Sequence, residues 1–428
     1  RWKVKLDRMV GGGVTAAVLV VYLLTLSRGV FPGVSASLMA TYTGLEPMVA
    51  PSHLLWGLVV RWLGVIGSGN MALMLNLFSA LCGVLSVWLV YGLLSKLLFA
   101  AVDDADDTAE ARVVASVMGA AVAALALAFS VPFWMVSTRL HYQSFDLLLL
   151  LCAAHLFLAY VRNGKTFLAA LFALFYGIGI VESTIFIPFA PLFVVYAFIV
   201  WRANDNIKLG RIFLLGGVAL LGMGLFLVSA RYFCATEDIS LRGYEGYWDV
   251  VRVMVRDHAR ALRYALPRVG WLLIVLLIVV PWLAAQLIAR RALNESRQWS
   301  DYAIHLVMTI IVFAILGNAP ASPWGLLRDR GGLPVMMYAL TATVAGYLAA
   351  YWYLLMANRK LMRVRDVRVV RIRMGVWLGY ALIWPLVVVV LAAAIINGFQ
   401  ASGHRGAFAD RCADELLDKL EGRRWLIS

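Results

Sequence analysis

Apolar residues run along this chain in long blocks, and the polar residues collect between them. Taking roughly twenty apolar residues bounded by charge or turn signals as one membrane span, the sequence divides into eleven blocks. These lie at 12–26, 70–99, 113–133, 145–161, 167–181, 185–201, 212–234, 269–288, 302–316, 333–356 and 374–396. A shorter apolar run at 53–66 is interrupted by Arg61 and flanked by prolines, which predicts a helix lying along the interface or dipping part-way in. Only Glu182, Ser183 and Thr184 separate the fifth and sixth blocks, so these form a tight hairpin. Two glycine runs inside apolar blocks, GGG at 11–13 and GIG at 177–179, read as close-packing sites between helices.

The segment after the first block is different. RGVFPGVSASLMATYTGLEPMVAPSHLLW, residues 28–56, carries glycine or proline at Gly29, Pro32, Gly33, Gly44, Pro47 and Pro51, punctuation that stops a continuous helix. Loops of this length are usually functional or disordered, and this one reads as a catalytic or substrate loop. The chain is therefore expected to be an all-α polytopic membrane protein with about eleven spans, a long first outer loop and interfacial helices. Residues 1–398 would form the membrane domain and 399–428 the start of a soluble extracytoplasmic domain. In that tail Phe408, Cys412, Leu416, Leu417 and Leu420 recur at helical spacing, and Trp425 to Ile427 reads as the opening of a strand.

Composition sharpens this picture. Of 428 residues, 63% are hydrophobic and 14% charged, and the mean hydropathy is +0.83, outside the range of soluble domains. The net charge of +14 does not point to nucleic acid, because the basic residues gather in loops between apolar blocks. Counting them near block ends sets the N-terminus in the cytoplasm, with Lys3, Lys5, Arg8, Arg162, Lys165 and the dense cluster from Arg359 to Arg373 on the same side. The C-terminus then lies outside, in the periplasm if the source is bacterial. The chain begins at Arg1, and its first block follows RWKVKLDR without a small-residue cleavage site, which favours a retained anchor. Cys82, Cys152, Cys234 and Cys412 show no metal spacing, and Cys234 with Cys412 could pair only if both faced an oxidising compartment.

Ionisable groups near spans are costly and thus candidates for function. They gather on the outer side: Glu46 and His53 in the first loop, Arg139, His141 and Asp146 at the third-to-fourth turn, and Glu182 at the hairpin tip. Three turns each presenting such a group suggest a shared outward-facing pocket, although Arg139 and His141 also suit interfacial snorkelling. After Cys234, Arg252, Arg256, Arg260 and Arg263 fall on one face of a helix, fit for bidentate contact with a phosphate or for anionic headgroups in general. The acidic run at 102–110 lacks the glycine and closing glutamate of a calcium loop and reads as a solvated turn. No Walker motif, nucleophile elbow or HExxH is present.

A family resemblance enters with two motifs. Leu75, Asn76, Leu77, Phe78, Ser79 and Ala80 resemble the RxNLxSA element of bacterial polytopic proteins related to protein O-mannosyltransferases, within the GT-C glycosyltransferases. LFALFYGIGIVESTIFIPFAP is similar to that family's GLGxxNHxTxxxxxP hairpin, with Gly177, Gly179, Thr184 and Pro191 kept. The resemblance implies a GT-C-like fold in the bacterial inner membrane. It also implies a sugar donor on a polyprenyl phosphate and an extracytoplasmic acceptor, with protein O-glycosylation as the reaction type; the residues themselves show no metal-ligand spacing and call for no other cofactor. Two departures stand out: Val34 and Ser37 replace the acids of the family's GDSGE, and Glu182 and Ser183 replace its Asn-His pair.

On this reading Glu46 or Glu182 takes the catalytic role, because transfer needs a carboxylate to accept the acceptor's proton. His53, Arg139 and His141 orient acceptor or donor, and the arginine row from Arg252 to Arg263 binds the lipid phosphate. The alternatives are a non-catalytic scaffold or accessory subunit of a membrane complex and, against the lack of a repeated pair of broken helices, a lipid or solute transporter. Expected partners are membrane lipid, the lipid-linked sugar, and a protein acceptor or partner subunit.

Overall fold

The computed structural model describes residues 2–48, 52–67, 69–100, 109–203, 209–240, 243–265, 297–320, 322–327, 333–357 and 368–419. Among the described residues there is helix and no strand. In chain order the helices are α1 (Trp2–Leu24), α2 (Val34–Thr43), α3 (Leu54–Ile66), α4 (Met71–Ala100), α5 (Ala109–Ala128), α6 (Val131–Ser137), α7 (Tyr142–Asn163), α8 (Thr166–Glu182), α9 (Phe186–Ala203), α10 (Leu209–Met223), α11 (Leu225–Thr236) and α12 (Tyr247–Ala265). There follow α13 (Arg297–Leu316), α14 (Pro323–Leu327), α15 (Leu333–Ala357), α16 (Arg368–Ala401) and, after a 3-10 turn at Gly403–Gly406, α17 (Ala407–Lys419).

Among the described residues, seven helical segments are long and apolar enough to cross a bilayer, and shorter apolar helices occupy the blocks at 167–181, 185–201 and 302–316. The block at 269–288 and the strand expected at 425–427 lie outside the described residues. The chain is thus an α-helical, multi-pass membrane protein.

The core forms where α5 packs between α4 and α15, with α7, α1 and α16 closing around them. Alanines on both helices allow this: α5 contributes Ala120, Ala123, Ala124 and Ala128 and α15 contributes Ala342, Ala345 and Ala349, all buried in one core. Small residues bring helix backbones close, which is how helices associate where lipid is as apolar as leucine. The GIG run behaves in the same way. A methyl group on Gly177 would strike the backbone of Ala219 on α10, and one on Gly222 would strike that of Leu174 on α8. In the GGG run only Gly11 is so confined, against the Tyr91 ring; Gly12 and Gly13 face open space.

Three stretches differ from what their punctuation or apolarity suggests. The first loop contains α2, because its glycines sit at the ends of a helical stretch and not within it. Gly33 and Gly44 both take positive φ, 90° and 85°, a region open to glycine at no steric cost. The helix of the third block ends at Ala128; Ser130 then takes extended backbone and Pro132 sits in the first turn of α6, where its missing N–H costs nothing. The seventh block is divided at Gly224 into α10 and α11. All four cysteines are unpaired thiols.

Candidate functional site

One end of the bundle collects the turns after α1, between α6 and α7, between α8 and α9, and after α16. Asn76 on α4 ties two of them. Its Nδ2 donates to the carbonyls of Ser27 (2.9 Å) and Gly29 (3.0 Å), and its Oδ1 accepts from the N–H of Leu140 (2.7 Å). Ser79, one helical turn on, accepts from the His141 N–H at 3.1 Å. The N–H of Ser27 donates to Thr138 O (2.9 Å), and that of Gly403 to Thr25 O (2.8 Å), which draws the end of α16 onto the same surface.

Glu182 closes the helical hairpin into this assembly. It is buried at the end of α8, and its two oxygens accept the N–H groups of Leu55 (3.0 Å) and Trp56 (2.8 Å). Those are orphan donors of the first turn of α3, so Glu182 caps a helix more than a hundred residues earlier in the chain and sets a carboxylate against its positive end. The residue before that helix, His53, holds left-handed backbone (φ 48°, ψ 55°), a region that residues with a Cβ enter only at some cost in strain. Packing sustains it: the His53 ring stacks on Tyr142 at 3.9 Å between centroids.

Beside His53 lies the least satisfied group in the assembly. Asp146, on the first turns of α7, is fully buried, and neither oxygen has a hydrogen-bond partner. The Ser183 side chain lies near it without completing a hydrogen bond. His53 Nδ1 stands 3.8 Å from its Oδ1 and is itself unpartnered. Burial, with the charges of His141 and His258 adding to it, pushes the His53 ring down to about 3. Burial, then the Arg139 charge, does the same for His141. Both rings are therefore neutral at physiological pH. His141 caps α7, its Nδ1 accepting from the Gln143 N–H at 3.2 Å, which leaves its proton on Nε2.

A pocket of ≈ 260 Å³ opens next to this cluster, between α2, α6 and the start of α15. Arg139, His141, Gln143 and Ser35 line it. Arg139 is only 8% exposed, and burial lowers it to about 10, which leaves it charged. Its Nε donates to Met135 O at 2.9 Å, and its guanidinium lies 3.7 Å over the Phe31 ring. Among the described residues no carboxylate pairs with it. Ser35 presents a buried hydroxyl without a partner. A cation without a counter-ion and an idle hydroxyl on one small cavity make a receptor for an anion.

The structure brings together His53, Arg139, His141 and Glu182 of the residues singled out in the sequence. Glu46 sits apart, exposed after α2, and among the described residues no hydrogen bond or ion pair holds its carboxylate. Arg252, Arg256, Arg260 and Arg263 are exposed on α12, where Arg260 pairs with Asp257 at 3.2 Å. The opposite face of α12 buries Val250 and Met254 against Phe233 of α11, and His258 bonds the Ile180 carbonyl on α8. Two residues of the site had no role from sequence. Asp146 was visible as an ionisable group near a span, but its neighbour could not be named. Ser35 gave no signal at all. Among the described residues no group of three His, Cys, Asp or Glu side chains is placed to hold a metal ion.

No curated protein matches the chain. Residues 47–229 match the family model of the protein O-mannosyl-transferase TMEM260 N-terminal domain, a segment that holds His53, Asn76, Arg139, His141, Asp146 and Glu182. Over the stretch that builds the buried cluster, the chain is similar to an O-mannosyltransferase-like family, and this supports a glycosyltransferase role.

Proposed function

We propose that the protein is a membrane glycosyltransferase of GT-C type, moving a sugar from a polyprenyl-phosphate donor to a hydroxyl acceptor on the extracytoplasmic side of a bacterial inner membrane. The observation that carries this reading is the Arg139 pocket, to which the O-mannosyltransferase-like segment contributes Arg139, His141 and Gln143. At ≈ 260 Å³ it falls below the ~300–1,000 Å³ of drug-sized ligand sites, so it suits a compact phosphoryl head with the lipid tail outside. Arg139 would neutralise the phosphate in the bound donor and again as it leaves, when its charge rises. Ser35 and the Nε2 proton of His141 would supply neutral donors to the same group. The exposed arginines of α12 would gather the anionic lipid at the membrane surface, an attraction that weakens with salt. In this reading the spans number eleven, the N-terminus is cytoplasmic, and the acceptor is a protein serine or threonine.

Transfer of radiolabelled mannose from polyprenyl-phosphate mannose to a serine/threonine peptide, by the full chain in proteoliposomes, tests the proposal. Arg139→Gln is expected to lower kcat/KM by ~10²-fold or more, the scale of a lost charged contact of about 3 kcal/mol. A wild-type protein that binds the donor and transfers nothing would leave the second reading, a non-catalytic relative, which the substitution of Val34 and Ser37 for the family's acids favours.

A further inference from the structure

The reading above leaves the acceptor's proton without a destination. Of the two acids that the sequence put forward for catalysis, Glu182 spends both oxygens on the start of α3 and Glu46 stands in solvent. We propose that His53 takes the proton of the acceptor hydroxyl and that Asp146 positions it, a histidine–carboxylate pair set beside the anion pocket. This inference rests on the transferase reading and deepens it.

Three observations carry it. A fully buried carboxylate with no hydrogen bond is among the costlier groups a fold can hold, and an apolar residue of similar size would remove the cost. Facing it is an equally idle group, a histidine nitrogen 3.8 Å away. Contacts of this kind are often long in the empty enzyme and tighten when substrate binds. His53, moreover, is held in left-handed backbone by the stacked Tyr142 ring and by the helix start that Glu182 fixes. Strain sustained by its surroundings in this way marks functional positions more often than packing ones.

In the proposed step the ring's two nitrogens divide the work: Nδ1 faces the Asp146 carboxyl, 3.8 Å away, and Nε2 takes the acceptor's proton. The side chain is 17% exposed, so the ring is not sealed. Packing links the pair to the anion pocket: the Tyr142 ring lies 3.9 Å from His53 and 4.6 Å from His141, which lines that pocket.

The step balances. The acceptor oxygen attacks the anomeric carbon while the bond from that carbon to the phosphate oxygen breaks, its electron pair leaving with the polyprenyl phosphate. The hydroxyl proton passes to His53 Nε2, and the resulting imidazolium faces Asp146. Arg139 meets the charge gained by the departing phosphate. The other ionisable groups around the pair are His141, His258, Glu182, Tyr42 and Tyr142.

The test uses the mannose-transfer assay on His53→Asn and Asp146→Asn. Asparagine tolerates left-handed backbone and accepts no proton, so His53→Asn keeps the fold and loses the base. The expected result is a fall in kcat of ~10²–10⁴-fold for His53→Asn, the worth of a general base, with KM within about 3-fold. For Asp146→Asn a fall of roughly 10-fold or more is expected, with the acid limb of the pH–rate profile displaced. Either variant keeping kcat within about 3-fold of wild type overturns the pair, as does a loss confined to KM. Should His53→Asn fail to fold, Asp146→Asn decides alone, since it is isosteric and breaks no hydrogen bond. Inactive wild-type protein would remove the transferase reading itself, an outcome distinct from active protein indifferent to these changes.

Discussion

Asn76 and Asp146 are buried polar side chains at the same end of the same bundle, and they are opposites. Asn76 uses both amide protons and its oxygen on three backbone groups of two turns; Asp146 uses nothing. A satisfied buried amide repays its desolvation and fixes the path of the chain. An unsatisfied carboxylate repays nothing in the resting fold. The first builds the turn assembly and the second is what the assembly is arranged around, with Glu182, His53 and His141 between them.

This contrast can be broken in several places. The largest expected effect is on stability at Asn76. Asn76→Ala strands the Ser27 carbonyl and the Leu140 N–H and leaves the Gly29 carbonyl only the Ser27 hydroxyl, and about 2–4 kcal/mol should be lost in a denaturant titration in detergent micelles; a loss within error would mean water or relaxed backbone replaces the amide. Glu182→Gln comes next. It keeps one acceptor oxygen but turns an amide donor toward the other N–H, so about 1–2 kcal/mol should go, and cleavage near α3 under limited proteolysis should quicken.

At neutral pH the two buried histidines do not enter this ranking; their effect appears only in acid. His53 and His141 are held neutral when folded, near 3 against an ordinary 6.5, so the unfolded chain binds the extra protons. Their contribution is whole above about 6.5 and is lost as pH falls toward 3, with a slope of about 1.4 kcal/mol per pH unit for each ring. Replacing both with asparagine should flatten that limb of a stability–pH curve. Asp146 is expected to show no loss at all: Asp146→Asn breaks no hydrogen bond and removes a buried charge, so stability should hold or rise.

The apolar blocks were legible because a membrane span needs only length and apolarity, and both are local. Breaks within them were not. Ser130 and Pro132 end one block where apolar residues continue on both sides, and Gly224 divides another with a single residue. α2 was hidden because Gly33 and Gly44 read as loop punctuation, whereas they bracket a helix. At the site, the convergence of turns at one end of the bundle could be anticipated from ionisable residues gathering on one side. Their pairings could not: Glu182 finds its partners at Leu55 and Trp56, and Asp146 its neighbour at His53, through packing that no local pattern encodes. Ser35 is an ordinary small polar residue until its hydroxyl is seen without a partner beside Arg139.

The measurement closest to the central claim is made on Asp146→Asn, with mannose-transfer rate and thermal midpoint recorded on the same preparation. The account predicts a kcat at least about 10-fold lower with a midpoint unchanged or raised. A lowered midpoint with wild-type kcat per folded molecule would contradict it, and would make Asp146 a structural residue of the same kind as Asn76.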